Sequence, residues 1–187
     1  MDDQAALFSI IKERSFRQGG EFTLVSGRKS TIYFNLKPTM LDPEGARLIG
    51  AAVAAKAHEL KLVYVGGLAM GAVPLVSATA AMSAVAGTPV KAIFVRKEAK
   101  GHGTQSQIEG LAEGESLTGQ SLLVVEDVTT TGGSAMQAIS ILREAGAEVE
   151  HVLTLVDRQE GAEEAFRQAG ITLHALFRKS DFGKDLA

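Results

Sequence analysis

The residues best equipped for chemistry lie in one stretch, Glu126-Asp127-Val128-Thr129-Thr130-Thr131-Gly132-Gly133-Ser134. A pair of acids is followed by three threonines, two glycines and a serine. The second half can hold an anion. Its hydroxyls donate hydrogen bonds, and its glycines let a ligand approach the backbone closely. N–H groups at the start of a following helix favour negative charge. The acids would repel a phosphate, so they must face something else. The hydroxyls of a sugar suit them, because an ionised carboxylate only accepts hydrogen bonds. A sugar phosphate presents both groups. No lysine follows the glycines, so this is not the nucleoside-triphosphate loop, and the G-x-G-x-x-G spacing of dinucleotide folds is absent. Taken alone, the pattern is also compatible with an ordinary polar strand-to-helix turn.

A second reactive stretch is Arg96-Lys97-Glu98-Ala99-Lys100-Gly101-His102-Gly103, continuing to Gly110. It combines three cations, a histidine and three glycines without helical or strand periodicity. Long loops inside compact domains are usually functional. A cationic loop beside a phosphate cradle can act as a lid that closes over a second charged phosphate group and excludes water. Read without the acidic stretch, it is a solvated charged loop.

The elements that position these residues follow from periodicity. Leu122-Leu123-Val124-Val125 reads as a strand buried on both faces, and residues 135–143 carry helical spacing. Upstream, residues 5–16 form an amphipathic helix through Leu7, Phe8, Ile10 and Ile11. Residues 21–25 and 31–35 form a hairpin around Ser26-Gly27-Arg28-Lys29-Ser30. Asp42 caps a helix with Pro43 at its first position, running to about residue 58. A strand at 61–65, a glycine turn at 66–71 and a helix at 72–85 follow. Further strands fall at 90–95, 149–156 and 171–176. This alternation predicts an α/β fold with a mostly parallel central sheet flanked by helices. One domain spans residues 1–187, with a small N-terminal hairpin and helix lobe (1–40) covering the site and a core at 41–187. Ligands of such sheets gather outside the strands' C-terminal ends.

Composition narrows the class. Of 187 residues, 45% are hydrophobic and 22% charged, which is globular rather than disordered. A net charge of −3 argues against a general nucleic-acid binder. The absence of cysteine removes thiolate chemistry and disulfides, and fits a reducing compartment. The acidic start Met1-Asp2-Asp3-Gln4 has no apolar signal-like core. The small-residue run 69–87 is interrupted by Pro74 and reads as a packed helix, not a membrane span. The expectation is a cytoplasmic protein with neither nucleic-acid nor membrane partners.

The acidic stretch resembles the phosphoribosyl-diphosphate motif of type I phosphoribosyltransferases: apolar residues, two acids, then a short Thr/Gly/Ser loop. The order Arg96-Lys97-x-x-Lys100-x-His102-Gly103 resembles the catalytic loop of the orotate phosphoribosyltransferases within that family. Asp157-Arg158 at a strand end and the Ser-Gly-Arg-x-Ser hairpin turn are similar to that family as well. The resemblance spans about residues 22–160.

The resemblance implies transfer of ribose 5-phosphate from 5-phospho-α-D-ribose 1-diphosphate (PRPP) to orotate, giving orotidine 5′-monophosphate and diphosphate. It implies a PRPP site made of Arg96, Lys97, Lys100, His102, Glu126, Asp127, Val128, Thr129, Thr130, Thr131, Gly132, Gly133 and Ser134. Lys100 and Asp127 would be catalytic, and Thr130 and Arg158 would meet orotate. Mg2+ would be bound mainly through PRPP, diphosphate and water, with no metal-ligating set on the protein. A homodimer sharing lid residues between subunits is implied too. The chain departs from some relatives at Val25 and Met70, where they carry lysine. Either the remaining loop cations suffice, or Arg28 or Lys29 substitutes.

Overall fold

Five parallel strands carry the fold, and the computed structural model describes residues 2–23, 29–98 and 107–183 around them. The chain opens with α1 (Asp3–Arg14), the strands β1 (Phe16–Thr23) and β2 (Lys29–Phe34), and the short α2 (Lys37–Met40). Next come α3 (Pro43–Glu59), β3 (Tyr64–Gly66), α4 (Ala72–Val85), β4 (Lys91–Ala92), β5 (Phe94–Val95) and β6 (Ile108–Glu109). The second half runs β7 (Ser121–Thr129), α5 (Gly133–Glu144), β8 (Glu148–Asp157), α6 (Ala162–Gln168) and β9 (Thr172–Arg178), ending in a 3-10 turn (Lys179–Phe182).

The main sheet has the order β4-β3-β7-β8-β9, parallel throughout. Its centre, β7, is buried on both faces as its apolar run requires. Leu123 and Val125 enter the core shared with α1, α3 and α4. Leu122 and Val124 enter the core shared with α5 and α6. Asp42 caps α3 as expected, its carboxylate accepting from the N–H groups of Glu44 and Gly45 at 3.1 Å each.

Several boundaries differ from the sequence reading, each for a physical reason. β7 does not stop at Val125. Its ladder with β8 continues to the pair Thr129–Asp157, so Glu126 and Asp127 stand on the strand itself. The expected strand 90–95 is divided. Lys91–Ala92 pair with β3, whereas Phe94–Val95 pair antiparallel with Ile108–Glu109, inside the stretch expected to be all loop. Residue 16 does not end the first helix. The Ser15 hydroxyl is drawn to the Thr39 hydroxyl at 2.6 Å, and Phe16 begins β1 opposite Phe34. Here burial of an aromatic pair overrides the helical spacing of the preceding residues.

The N-terminal elements share their core with the sheet. Phe182 gathers Phe8, Phe16 and Phe34 at centroid distances of 4.8, 5.2 and 4.9 Å. Rings at such spacings add attraction beyond their area burial. The hairpin base is thereby fixed against the end of the chain's last described turn. The tip residues Val25, Ser26, Gly27 and Arg28 lie outside the described residues.

Candidate active site

The C-terminal ends of β3 and β7 open into a cleft of about 340 Å³. β4 lies on one side of β3 and β7 on the other, so the sheet order reverses there and leaves a crevice. One wall is the turn after β3, including Met70 and Gly71. The opposite wall carries Glu126, Asp127 and Ser134. Lys37 and Lys97 complete the lining with two ammonium groups.

The adjacent acids occupy different environments. Burial pushes the Glu126 carboxyl up from 4.5 to about 7; the Thr129 hydroxyl opposes this, the Asp127 charge adds to it, and the Ser134 hydroxyl opposes it. Thr129 Oγ1 donates to Glu126 Oε2 at 2.7 Å. Asp127 faces the cleft and accepts the Val128 N–H at 2.9 Å. It stands directly over Gly71, where a Cβ would come within 3.1 Å of its Oδ1. A side chain at Gly71 would crowd that carboxylate, so the glycine keeps the space open.

The cradle begins at Gly132, the residue that caps α5. Its φ of +83° is left-handed, and a Cβ there would lie 2.8 Å from the Phe166 ring. Only glycine meets both conditions without strain. No side chain caps α5, so its first N–H groups are available to an anion. Thr131, Gly133 and Ser134 are exposed around this helix start, Thr130 is half-buried, and Val128 packs partly into the core. Thr129 is fully buried, and its hydroxyl donates to Glu126 Oε2.

Arg158 lies beside this loop because its N–H donates to the Thr129 carbonyl at 2.9 Å. It is only 4% exposed. In its guanidinium, Nε and Nη2 both contact Glu160 Oε1 at 2.9 Å, and Nη2 donates to Ser30 Oγ at 3.3 Å. Ser30 belongs to β2, so this contact ties the hairpin to the end of β8. Lys97 reaches the cleft, but Arg96 turns to Glu109 at 3.5 Å. Lys100 and His102 lie outside the described residues.

Sequence reasoning did not assign four contributors: Lys37, Gly71, Glu160, and Ser30 as a partner of Arg158. Glu160 stands two residues after Arg158, Gly71 closes the glycine turn at 66–71, and Ser30 ends the hairpin turn, so each carried a local signal. Lys37 carried none and reaches the cleft through tertiary placement.

The parallel sheet, its switch-point cleft and the glycine helix start are those of a phosphoribosyltransferase, and residues 40–168 match the family model described as "Phosphoribosyl transferase domain". The chain is 54% identical over 179 residues to the orotate phosphoribosyltransferase of Rhodopseudomonas palustris (strain TIE-1), covering 96% of this chain and 95% of that protein. A crystal structure of Mycobacterium tuberculosis orotate phosphoribosyltransferase in complex with Fe(III) dicitrate superposes with a TM-score of 0.83 at 37% identity, covering 97% of this chain and 99% of the other. The same enzyme in complex with PRPP gives a TM-score of 0.78 at 34% identity, covering 97% and 99%. The chain belongs to the orotate phosphoribosyltransferase family.

Proposed function

We propose that the chain transfers ribose 5-phosphate from PRPP to N1 of orotate, yielding orotidine 5′-monophosphate and diphosphate, a step of pyrimidine nucleotide synthesis. The observation that carries this reading is the joint lining of one cleft by Asp127, Glu126, Ser134 and two lysines, at the start of α5, in a chain of this family.

In the reaction the C1–O bond of the ribose breaks and its electron pair leaves with diphosphate. The N1 lone pair of orotate forms the new C–N bond, and the N1 proton is lost. Positive character builds on the ribose in between. Asp127 and Glu126 accept hydrogen bonds from the ribose hydroxyls, and the charge of Asp127, joined by that of Glu126 once it ionises above about pH 7, favours that positive centre. The N–H groups around Gly132 and Gly133, with the Thr130, Thr131 and Ser134 hydroxyls, hold the 5-phosphate. Arg96, Lys97, Lys100 and His102 receive the diphosphate, and Lys100 tightens its contact as charge develops there. Arg158 and Thr130 face orotate. The Glu160 contact leaves Arg158 oriented before the base arrives, and the guanidinium can still donate to a carboxylate or ring carbonyl.

Mg2+ belongs to the same proposal. Among the described residues no group of three or more acids or histidines could cage a metal ion. Mg2+ would be held mainly through the substrate's diphosphate and water, with Asp127 available from the cleft wall as an acidic neighbour. When bound, it would supply neutralisation of the leaving group's charge. The family resemblance supports a homodimer with lid residues acting across subunits. In that dimer Arg96 or Lys97 is the residue to act across the subunits. No described helix is long and apolar enough to cross a membrane.

Diphosphate release from PRPP, measured with no base and with orotate, uracil, adenine or hypoxanthine, tests the reading. Release is expected with orotate alone. Equal release without a base, or preference for a purine or uracil, would refute it.

A further inference from the structure

We infer that Lys37 is a binding residue for the diphosphate end of the substrate, supplied by the N-terminal elements rather than by the loop after β5. The inference rests on the reading of the cleft as a PRPP site, and it assigns the charge-neutralising contact that the cleft wall at Met70 does not provide.

Charge balance in the cleft is the first argument. Two carboxylates, Glu126 and Asp127, line it against two ammonium groups, Lys37 and Lys97. A substrate bearing a phosphate and a diphosphate adds several further negative charges. The 5-phosphate has N–H groups and hydroxyls at the start of α5. The diphosphate carries more charge and needs cations. Among the described lining residues only the two lysines qualify. Met70, on the facing turn and 71% exposed, can neither donate a hydrogen bond nor neutralise charge.

Placement is the second argument. The Lys37 side chain is exposed, but its backbone is firmly held. Leu36 before it and Thr39 after it are fully buried, and Pro38 fixes the next φ. The Lys37 N–H donates to Asn35 Oδ1 at 3.3 Å, and its carbonyl accepts from Leu41 at 3.0 Å. α2 also packs against α3 so closely that a Cβ on Gly45 would lie 2.1 Å from the Thr39 carbonyl oxygen. The ammonium is thus delivered to the cleft from a rigid base, which reduces the entropy lost on binding.

Lys29, named above as a substitute, pairs with Glu21 across the hairpin at 2.8 Å, and Arg28 lies outside the described residues. Lys37 forms no ion pair with a carboxylate among the described residues, so its charge faces the cleft unneutralised.

Calorimetric titration of diphosphate and of ribose 5-phosphate into the wild type, Lys37→Ala and Lys37→Arg tests this without requiring turnover. Loss of one charge-assisted contact is expected to weaken diphosphate binding about 10-fold in Lys37→Ala. Ribose 5-phosphate binding should stay within about 2-fold of wild type, and Lys37→Arg should recover most of the diphosphate affinity. The same split should appear as a raised KM for PRPP with an unchanged KM for orotate. Diphosphate affinity unchanged in Lys37→Ala overturns the inference, as does an equal loss for both ligands. Because the titrations need no base, a wild type that binds diphosphate through Lys37 but ignores orotate would refute the proposed reaction and leave this contact standing.

Discussion

Glu126→Gln separates what the buried acid costs the fold from what it contributes to the site. Burial pushes the Glu126 carboxyl up from 4.5 to about 7. Across that interval the folded chain keeps a proton that the unfolded chain has already released, so stability falls as pH rises. Below the lower value the carboxyl is protonated in both states and the penalty vanishes. Above the upper value it is ionised in both and the penalty is complete. At about 1.4 kcal/mol per pH unit the interval corresponds to about 3 kcal/mol. Glutamine retains an acceptor for Thr129 Oγ1 and has no charge to desolvate. The substrate-free variant should therefore match the wild type near pH 4 and exceed it by up to about 3 kcal/mol near pH 8, or about 6–12 °C in Tm for a chain of this length. Thermal melts of both proteins at low, intermediate and high pH measure the difference directly, and effects of other groups cancel in the comparison. The same substitution should lower kcat/KM about 10-fold or more, because a charged acceptor for the ribose is lost. A stability difference that does not vary with pH, or a variant less stable than wild type at high pH, would refute the assignment of Glu126 as a desolvated acid.

Three further outcomes can be checked. Gly132→Ala must adopt a left-handed φ and push its methyl into the Phe166 ring; the combined strain and overpacking should cost about 2–5 kcal/mol in denaturant unfolding and weaken ribose 5-phosphate binding. Arg158→Ala removes the guanidinium from Glu160, whose side chain is 16% exposed. This should destabilise by about 3 kcal/mol and raise KM for orotate; adding Glu160→Gln should restore stability but not orotate affinity, and recovery of both would assign Arg158 a purely structural part. Asp127→Asn keeps an oxygen for the Val128 N–H, so the melting curve should hardly move while turnover falls about 100-fold; an unfolded variant would make the acid structural.

The cleft's far wall was legible because β7 and α5 encode it locally. A doubly buried strand, two acids and a glycine helix start occupy consecutive positions, and Ala72–Val85 was bounded correctly by its glycine turn and Pro89. The rest depends on long-range pairing. Residues 90–95 look like one strand, and only the partners β3 and β6 divide them. Thr129 resembles its neighbours Thr130 and Thr131 in sequence, yet strand burial alone turns its hydroxyl to Glu126. Lys37 belongs to a four-residue helix too short to announce itself, and it reaches the cleft because Leu36 and Thr39 anchor that helix to α3.

The extension of β7 through Thr129 has a consequence for which sugars the protein accepts. Asp127 and Glu126 are mounted on a ladder hydrogen-bonded to its neighbour, not on a loop that could shift to follow an ill-fitting partner. A pentose lacking one hydroxyl would leave an inward-facing oxygen with nothing to receive, and the sheet could not relax to hide the deficit. With these acids meeting the ribose hydroxyls as proposed, discrimination between ribose and deoxyribose is expected to follow from the strand pairing itself.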